Sequence, residues 1–242
     1  MSTKKRSAKL KTTMRKKRRP SGQLRTIAVD DFGQMHQALR DQPSYAIYRG
    51  VPDARFELVP KIGRYHGGWD PRLERDILTI FRNRARPYLD REPSTMWEWL
   101  TIAQHHGLAT RLLDWTRNPL VAAYFAVEGT QDCDAAIYAY VDRVNRLTGQ
   151  SPFEAKRVGK YYPSHLFRRI AAQDGLFTVH PNPDHPFRPR NGFKLLIPKG
   201  LRSEFRDVLD MYGVNRASLF PGLDGLAAYV QWLKIESKRP WE

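Results

Sequence analysis

Three stretches of this 242-residue sequence place polar side chains where a folding core would not put them. The first is Tyr48-Arg49-Gly50. At the end of a strand, Tyr48 and Gly50 take one face and Arg49 the other. Arginine offers a planar fork suited to phosphate or carboxylate, and the glycine lets a ligand or backbone come close. A salt-bridged arginine at a turn fits the same residues. The second stretch runs from Gln104 to Phe125, QHHGLATRLLDWTRNPLVAAYF. Gln104 shares a helical face with Trp97 and Leu100, so its amide is expected to be part-buried. Asp114 shares a strand face with Leu112 and Thr116, with Arg111 and Trp115 opposite. An acid inside an apolar strand is costly unless paired, so a buried Asp114 needs Arg49, a neighbour of Arg111, a histidine or backbone amides as its partner. It serves equally as a structural anchor for the strand and the Asn118 cap. In the third stretch, Arg168 to Phe177, Gln173 and Gly175 sit at a helix-to-strand turn, where a ligand contact or a plain turn fits equally.

Common chemical motifs are missing: no GxGxxG, P-loop, GxSxG or HExxH occurs. His105 and His106 are adjacent on a helix and point about 100° apart, a poor geometry for one metal ion. No metal site is expected.

These residues need a frame. Asp30-Asp31 opens a helix to about Arg40. Tyr45 to Tyr48 is β-prone and stops at Arg49-Gly50-Val51-Pro52. Arg72 to Arg86 reads as a helix that buries Leu73, Ile77, Ile80 and Phe81. Ser94 caps the helix through Ala103, which Gly107 ends. Arg111 to Thr116 is a buried strand, and Asn118-Pro119 starts an alanine-rich helix able to lie close on a sheet. Further strands are predicted at Asp134 to Val141, Leu176 to Val179 and Phe193 to Ile197, with helices at Ser203 to Tyr212 and Leu223 to Ile235. The irregular alternation predicts an α+β fold: a small, mixed, partly antiparallel sheet with flanking helices.

Composition narrows the class. The chain is 41% hydrophobic and 27% charged, which suits a globular protein rather than a disordered one. One cysteine excludes an intrachain disulfide framework. No run approaches the ~18 apolar residues of a membrane span, so a cytoplasmic protein is expected. Of the net charge of +16, +11 lies in residues 1–25, which hold no acid. That segment is expected to be a disordered basic tail, either a polycation that binds nucleic acid or anionic surfaces without sequence preference or a solubilising or vestigial extension. Residues 26–242 would form the folded domain, with helices near both ends.

Taken together, Tyr48-Arg49-Gly50, Gln104-His105-His106-Gly107, Thr110 to Asn118 and Ala122-Ala123-Tyr124-Phe125-Ala126 resemble the FRG domain family. The Gln173 to Phe177 and Phe220 to Asp224 segments resemble it too, so the likeness spans about residues 48–229. Ala109 departs from the family's usual proline. The resemblance implies a fold and a candidate site but no reaction. The order of these segments is also similar to ADP-ribosyltransferases, which would make NAD the cofactor. That likeness implies Arg49 as the pyrophosphate fork, Thr116 as the second-strand group and Gln173 in the position of a glutamate. Glutamine cannot serve as a carboxylate base, so either Asp114 would supply the charge or no transfer occurs. The candidate catalytic residues are thus Asp114, Gln173 and Thr116. The candidate ligand-binding residues are Tyr48, Arg49, Gly50, Gln104, His105, His106, Arg111 and Trp115. Three readings stand open: an NAD-using transferase or glycohydrolase, a non-catalytic module for a phosphorylated or nucleotide ligand, and a nucleic-acid binder led by the tail. None of them names an acceptor or an oligomeric state.

The tail can be tested directly. Each phosphate neutralised on duplex DNA contributes about −0.9 to the slope of log affinity against log salt. Deleting residues 1–23 is expected to flatten that slope and remove most DNA binding, read by titration at two salt concentrations. Equal slopes for the two forms would place the binding elsewhere.

Overall fold

The computed structural model describes residues 24–65, 68–129, 131–143, 146–147, 151–163 and 168–237. In chain order the elements are β1 (Arg25–Ala28), α1 (Phe32–Arg40), β2 (Ile47–Val51), α2 (Pro71–Ala85) and α3 (Met96–His105). Then come β3 (Leu112–Thr116), α4 (Pro119–Val127), β4 (Ala135–Tyr140), β5 (Gly159–Tyr161), α5 (Arg168–Ala172) and β6 (Gly175–Val179). The last are β7 (Gly192–Ile197), α6 (Arg202–Met211), α7 (Arg216–Leu219) and α8 (Leu223–Ile235). The fold is α+β. Seven strands form one open mixed sheet in the order β1-β7-β4-β2-β3-β6-β5. Among the described strands, only β1 and β7 pair in parallel.

α4 is the element around which one face is packed. Its sequence PLVAAYFAV is apolar all round, as a helix covered on every side requires. Asn118 caps it through the Leu120 amide, and Pro119 supplies the first turn. Its alanines lie against β2. A Cβ on Gly50 would stand 1.9 Å from the Ala122 carbonyl oxygen, so only glycine permits this approach. α1 and α6 complete that core with Met35, Leu39, Phe205 and Leu209. Elsewhere α2 and α3 bring Leu78, Trp97, Leu100 and Ala103 onto Leu112 of β3 and Phe177 and Val179 of β6.

Pairing along the middle of the sheet is uneven. β2 pairs with β4 over its whole length, from Ile47↔Tyr140 to Val51↔Ala136. β3 pairs with β6 at five positions. β2 and β3 are in register at one pair, Tyr48↔Thr116. The two strands therefore diverge, and the sheet is open beyond that pair.

Several expectations change. The β-prone run starts later and continues through Arg49 and Gly50, so the Tyr-Arg-Gly motif lies inside β2 and not at its end. Thr95, and not Ser94, caps α3, while the Ser94 amide donates to the Glu98 carboxylate. On α2, Leu73 and Ile80 are exposed, and Glu74, Leu78 and Ala85 are buried. The buried face is turned by about one residue because Glu74 faces Arg111 across the core. A tail ending at residue 25 would cut into β1, which begins at Arg25 and pairs with Phe193. The rest of that tail, residues 1–23, lies outside the described residues. β5, in a stretch with no sequence assignment, extends the sheet beyond β6.

Glu74 and Arg111 form the most enclosed ion pair described, with 1% and 3% of their side chains exposed. Arg111 Nη2 donates to Glu74 Oε2 at 2.7 Å, and the Arg111 amide donates to Oε1 at 3.1 Å. Trp69 Nε1 donates to the same carboxylate, and the guanidinium lies over the Phe153 ring at 4.8 Å. Removing one charge strands the other in a dry site. Glu74→Ala is therefore expected to cost about 3–5 kcal/mol in urea unfolding. The Glu74→Ala/Arg111→Met double variant should recover part of that loss.

Candidate functional site

The divergence of β2 from β3 opens a cavity of about 750 Å³. Tyr48, Arg49 and Gly50 reach it from β2, Gln104 to Gly107 from the end of α3, and Asp114 to Thr116 from β3. Arg49 spans the gap. Its Nη1 donates to the Asp114 carbonyl at 2.6 Å and to the Asp114 carboxylate at 3.3 Å. The first bond satisfies a backbone acceptor on the open side of the sheet.

Asp114 was expected to be buried, but 56% of its side chain is exposed. It points into the cavity, so solvent bears the cost of its charge. Its partners are Arg49 and Gln104, whose Nε2 donates at 3.0 and 3.1 Å. The Thr110 hydroxyl donates to Gln104 Oε1 at 2.6 Å, which fixes that amide with its nitrogen toward Asp114.

Other candidates already have work. The Thr116 hydroxyl donates to the Gln173 carbonyl at 2.7 Å and accepts from the Asn118 amide at 3.0 Å. Gln173 lines the cavity, and its Nε2 donates to the Leu219 carbonyl. Trp115 is at the cavity wall, with Nε1 donating to Thr178, whose hydroxyl lies 2.8 Å from His180 Nε2. Arg111 is not at the cavity. It is held by Glu74, so its place among the ligand-binding candidates is withdrawn.

Sequence reasoning missed six cavity residues: Pro52, Gly107, Phe125, Glu128, Gln131 and Arg169. Glu128 follows Phe125 by three positions, and Arg169 precedes Gln173 by four. Both spacings put the pairs on one side of a helix or its end. Arg169 is half-buried and its guanidinium lies 4.3 Å from the Phe220 ring centroid. Burial pulls its pKa down, and the Asp114 and Glu128 charges push it back up. Among the described residues its guanidinium makes no hydrogen bond. His105, also at the wall, is pushed down to about 4, first by burial, then by Arg169 and His106, with Asp114 opposing. At neutral pH it is an uncharged imidazole. His106 is exposed at the rim, edge-on to His105. No group of three or more His, Cys, Asp or Glu among the described residues could hold a metal ion.

Residues 44–135 match the family model of the FRG domain. The protein carries an FRG domain. The matched span holds β2, α3, β3 and α4, and with them Arg49, Gln104, Asp114 and Glu128. Arg169 and Gln173 complete the cavity of the FRG domain from outside that span. The likeness expected to run on to residue 229 is matched only as far as residue 135. No curated protein matches the chain, and no solved structure does. No helix among the described residues is long and apolar enough to cross a membrane.

Half-buried His105 and buried His180 set a pH dependence. His180 is pushed down to about 3 by burial and then by Arg49. Both folded values lie below the ordinary 6.5, so between pH 6.5 and about 4 the unfolded chain takes up protons that the folded chain refuses. Stability should therefore fall as pH drops through that window. Urea midpoints at four pH values would show it, with a shallower slope for His105→Gln.

Proposed function

We propose that the FRG-domain cavity binds a phosphate-bearing, nucleotide-like small molecule, with Arg49 and Arg169 as its anion-holding pair. The observation that carries this reading is Arg169: a half-buried guanidinium at the cavity wall with no hydrogen bond among the described residues. With no protein acceptor among those residues, the guanidinium is available at the cavity wall for a ligand anion, which would form charge-assisted hydrogen bonds with it. Arg49 commits Nη1 to Asp114, which sets the plane of its fork and leaves its other donors for a second oxygen. The volume of about 750 Å³ falls in the range of small-molecule sites.

An NAD-using transferase or glycohydrolase is the catalytic form of this reading. Asp114 is the group that favours it, because an exposed carboxylate in the cavity stabilises positive charge developing on a ribose. The nicotinamide–ribose C–N bond would break with its electron pair leaving on nicotinamide. Water or an acceptor nucleophile would add to the ribose carbon and lose its proton to Asp114. Gln173 and Thr116, both hydrogen-bonded to neighbouring backbone, would position rather than transfer protons. A pocket that binds without turnover is the second reading, and the same carboxylate then only orients the ligand.

Calorimetric titration of the full chain with ADP and with NAD tests the proposal. Arg49→Gln and Arg169→Gln are each expected to weaken ADP binding about tenfold or more, the loss of one or two charge-assisted hydrogen bonds. Release of nicotinamide from NAD, abolished in Asp114→Asn, would establish the enzyme. Binding without release would establish the module. A chain that binds ADP, NAD and pyrophosphate no better than buffer ions would overturn both.

A further inference from the structure

The cavity contains a second carboxylate that the anion-binding reading leaves idle. Glu128 lines it from just beyond the C-terminal end of α4. Glu128 Oε1 accepts from the Tyr124 hydroxyl at 3.0 Å and pairs with Arg216 Nη1. Burial and the Glu128 charge raise the Tyr124 pKa, so that phenol stays a donor at any working pH. Arg216 is itself fixed, with its guanidinium 3.8 Å from the Phe220 ring centroid. The carboxylate is therefore held from one side, and Oε2 takes no hydrogen bond among the described residues. Gln131 stands at the same wall. Its Oε1 accepts from Arg202 Nη2 at 3.2 Å, which leaves its amide nitrogen to donate.

A fixed acceptor and a free donor at one wall suit a group that both donates and accepts. A phosphate offers the carboxylate acceptors and no donor. An ammonium gains little, because Arg216 already neutralises the Glu128 charge. Neighbouring hydroxyls match both requirements, each donating once and accepting once. We infer that Glu128 and Gln131 read the vicinal hydroxyls of a ribose, so that the ligand class is a ribonucleotide and not a deoxynucleotide or an inorganic polyphosphate. The inference rests on the anion site formed by Arg49 and Arg169, which leaves the sugar for this wall.

The test compares ADP, 2′,3′-dideoxy-ADP and pyrophosphate by calorimetry on the full chain. ADP is expected to bind about tenfold or more tightly than its dideoxy analogue, because the lost hydroxyls leave a charged acceptor unpaired. Glu128→Gln, checked for an unchanged melting temperature, should abolish the difference between ADP and its dideoxy analogue, both measured in that variant. Gln131→Ala should narrow the preference in part. Equal affinities for ADP and dideoxy-ADP in the unaltered chain would overturn the hydroxyl reading while the anion site stands. Discrimination that survives in a folded Glu128→Gln would overturn the assignment to this residue. Failure of all three probes to bind would remove the anion site, and this inference with it.

Discussion

β2 and β3 meet in register at Tyr48↔Thr116 alone, and the site follows from that constraint. Two neighbouring strands that diverge would ordinarily leave backbone groups without partners. Here each strand is secured on its far side. β2 is laddered to β4 and pressed onto α4 at Gly50, where a side chain would collide with the Ala122 carbonyl. β3 is laddered to β6, and the residue before it, Arg111, is clamped by Glu74 on α2. The opening persists because both walls are anchored elsewhere, and Arg49 crosses it to reach the Asp114 carbonyl.

The charges at the opening are mostly paired. Asp114 and Glu128 carry negative charge at the cavity, with Arg49 paired to the first and Arg216 to the second. Arg169 feels both carboxylates and is hydrogen-bonded to neither. His105 stays neutral beside it because burial and Arg169 both oppose a second cation. The result is a polar cavity with its charges nearly balanced and a few donors and acceptors unspent, as the proposed ligand site requires.

The rim is also tied down. Arg202, buried at the start of α6, donates Nη1 to the Pro52 carbonyl at 2.8 Å and Nη2 to Gln131 Oε1. One side chain thus links the end of β2, the turn after α4 and α6. Fixing the lining in advance lowers the ordering cost of binding.

Local sequence determined most of the frame. Asn118-Pro119 dictated the start of α4, because a side-chain cap and a fixed φ suit only that place in a helix. The apolar character of LVAAYFAV dictated that α4 be buried, and the Tyr48-Arg49-Gly50 and Gln104 to Thr116 segments marked residues that do meet at one cavity. What pattern could not decide is which partner each polar side chain finds. Arg111 and Arg49 look alike in sequence, yet one is sealed against Glu74 and the other faces the cavity, because α2 covers only the first. Asp114 reads as buried from its apolar neighbours, and it is exposed because β2 turns away from β3 beyond a single pair. Glu128 and Arg169 lie 41 positions apart and reach the same cavity only once the sheet has placed α4 and α5 at its two sides. Periodicity records the face a residue takes within its own element. Register between strands and the docking of helices, which depend on contacts far apart in the chain, decide whether that face meets protein or solvent.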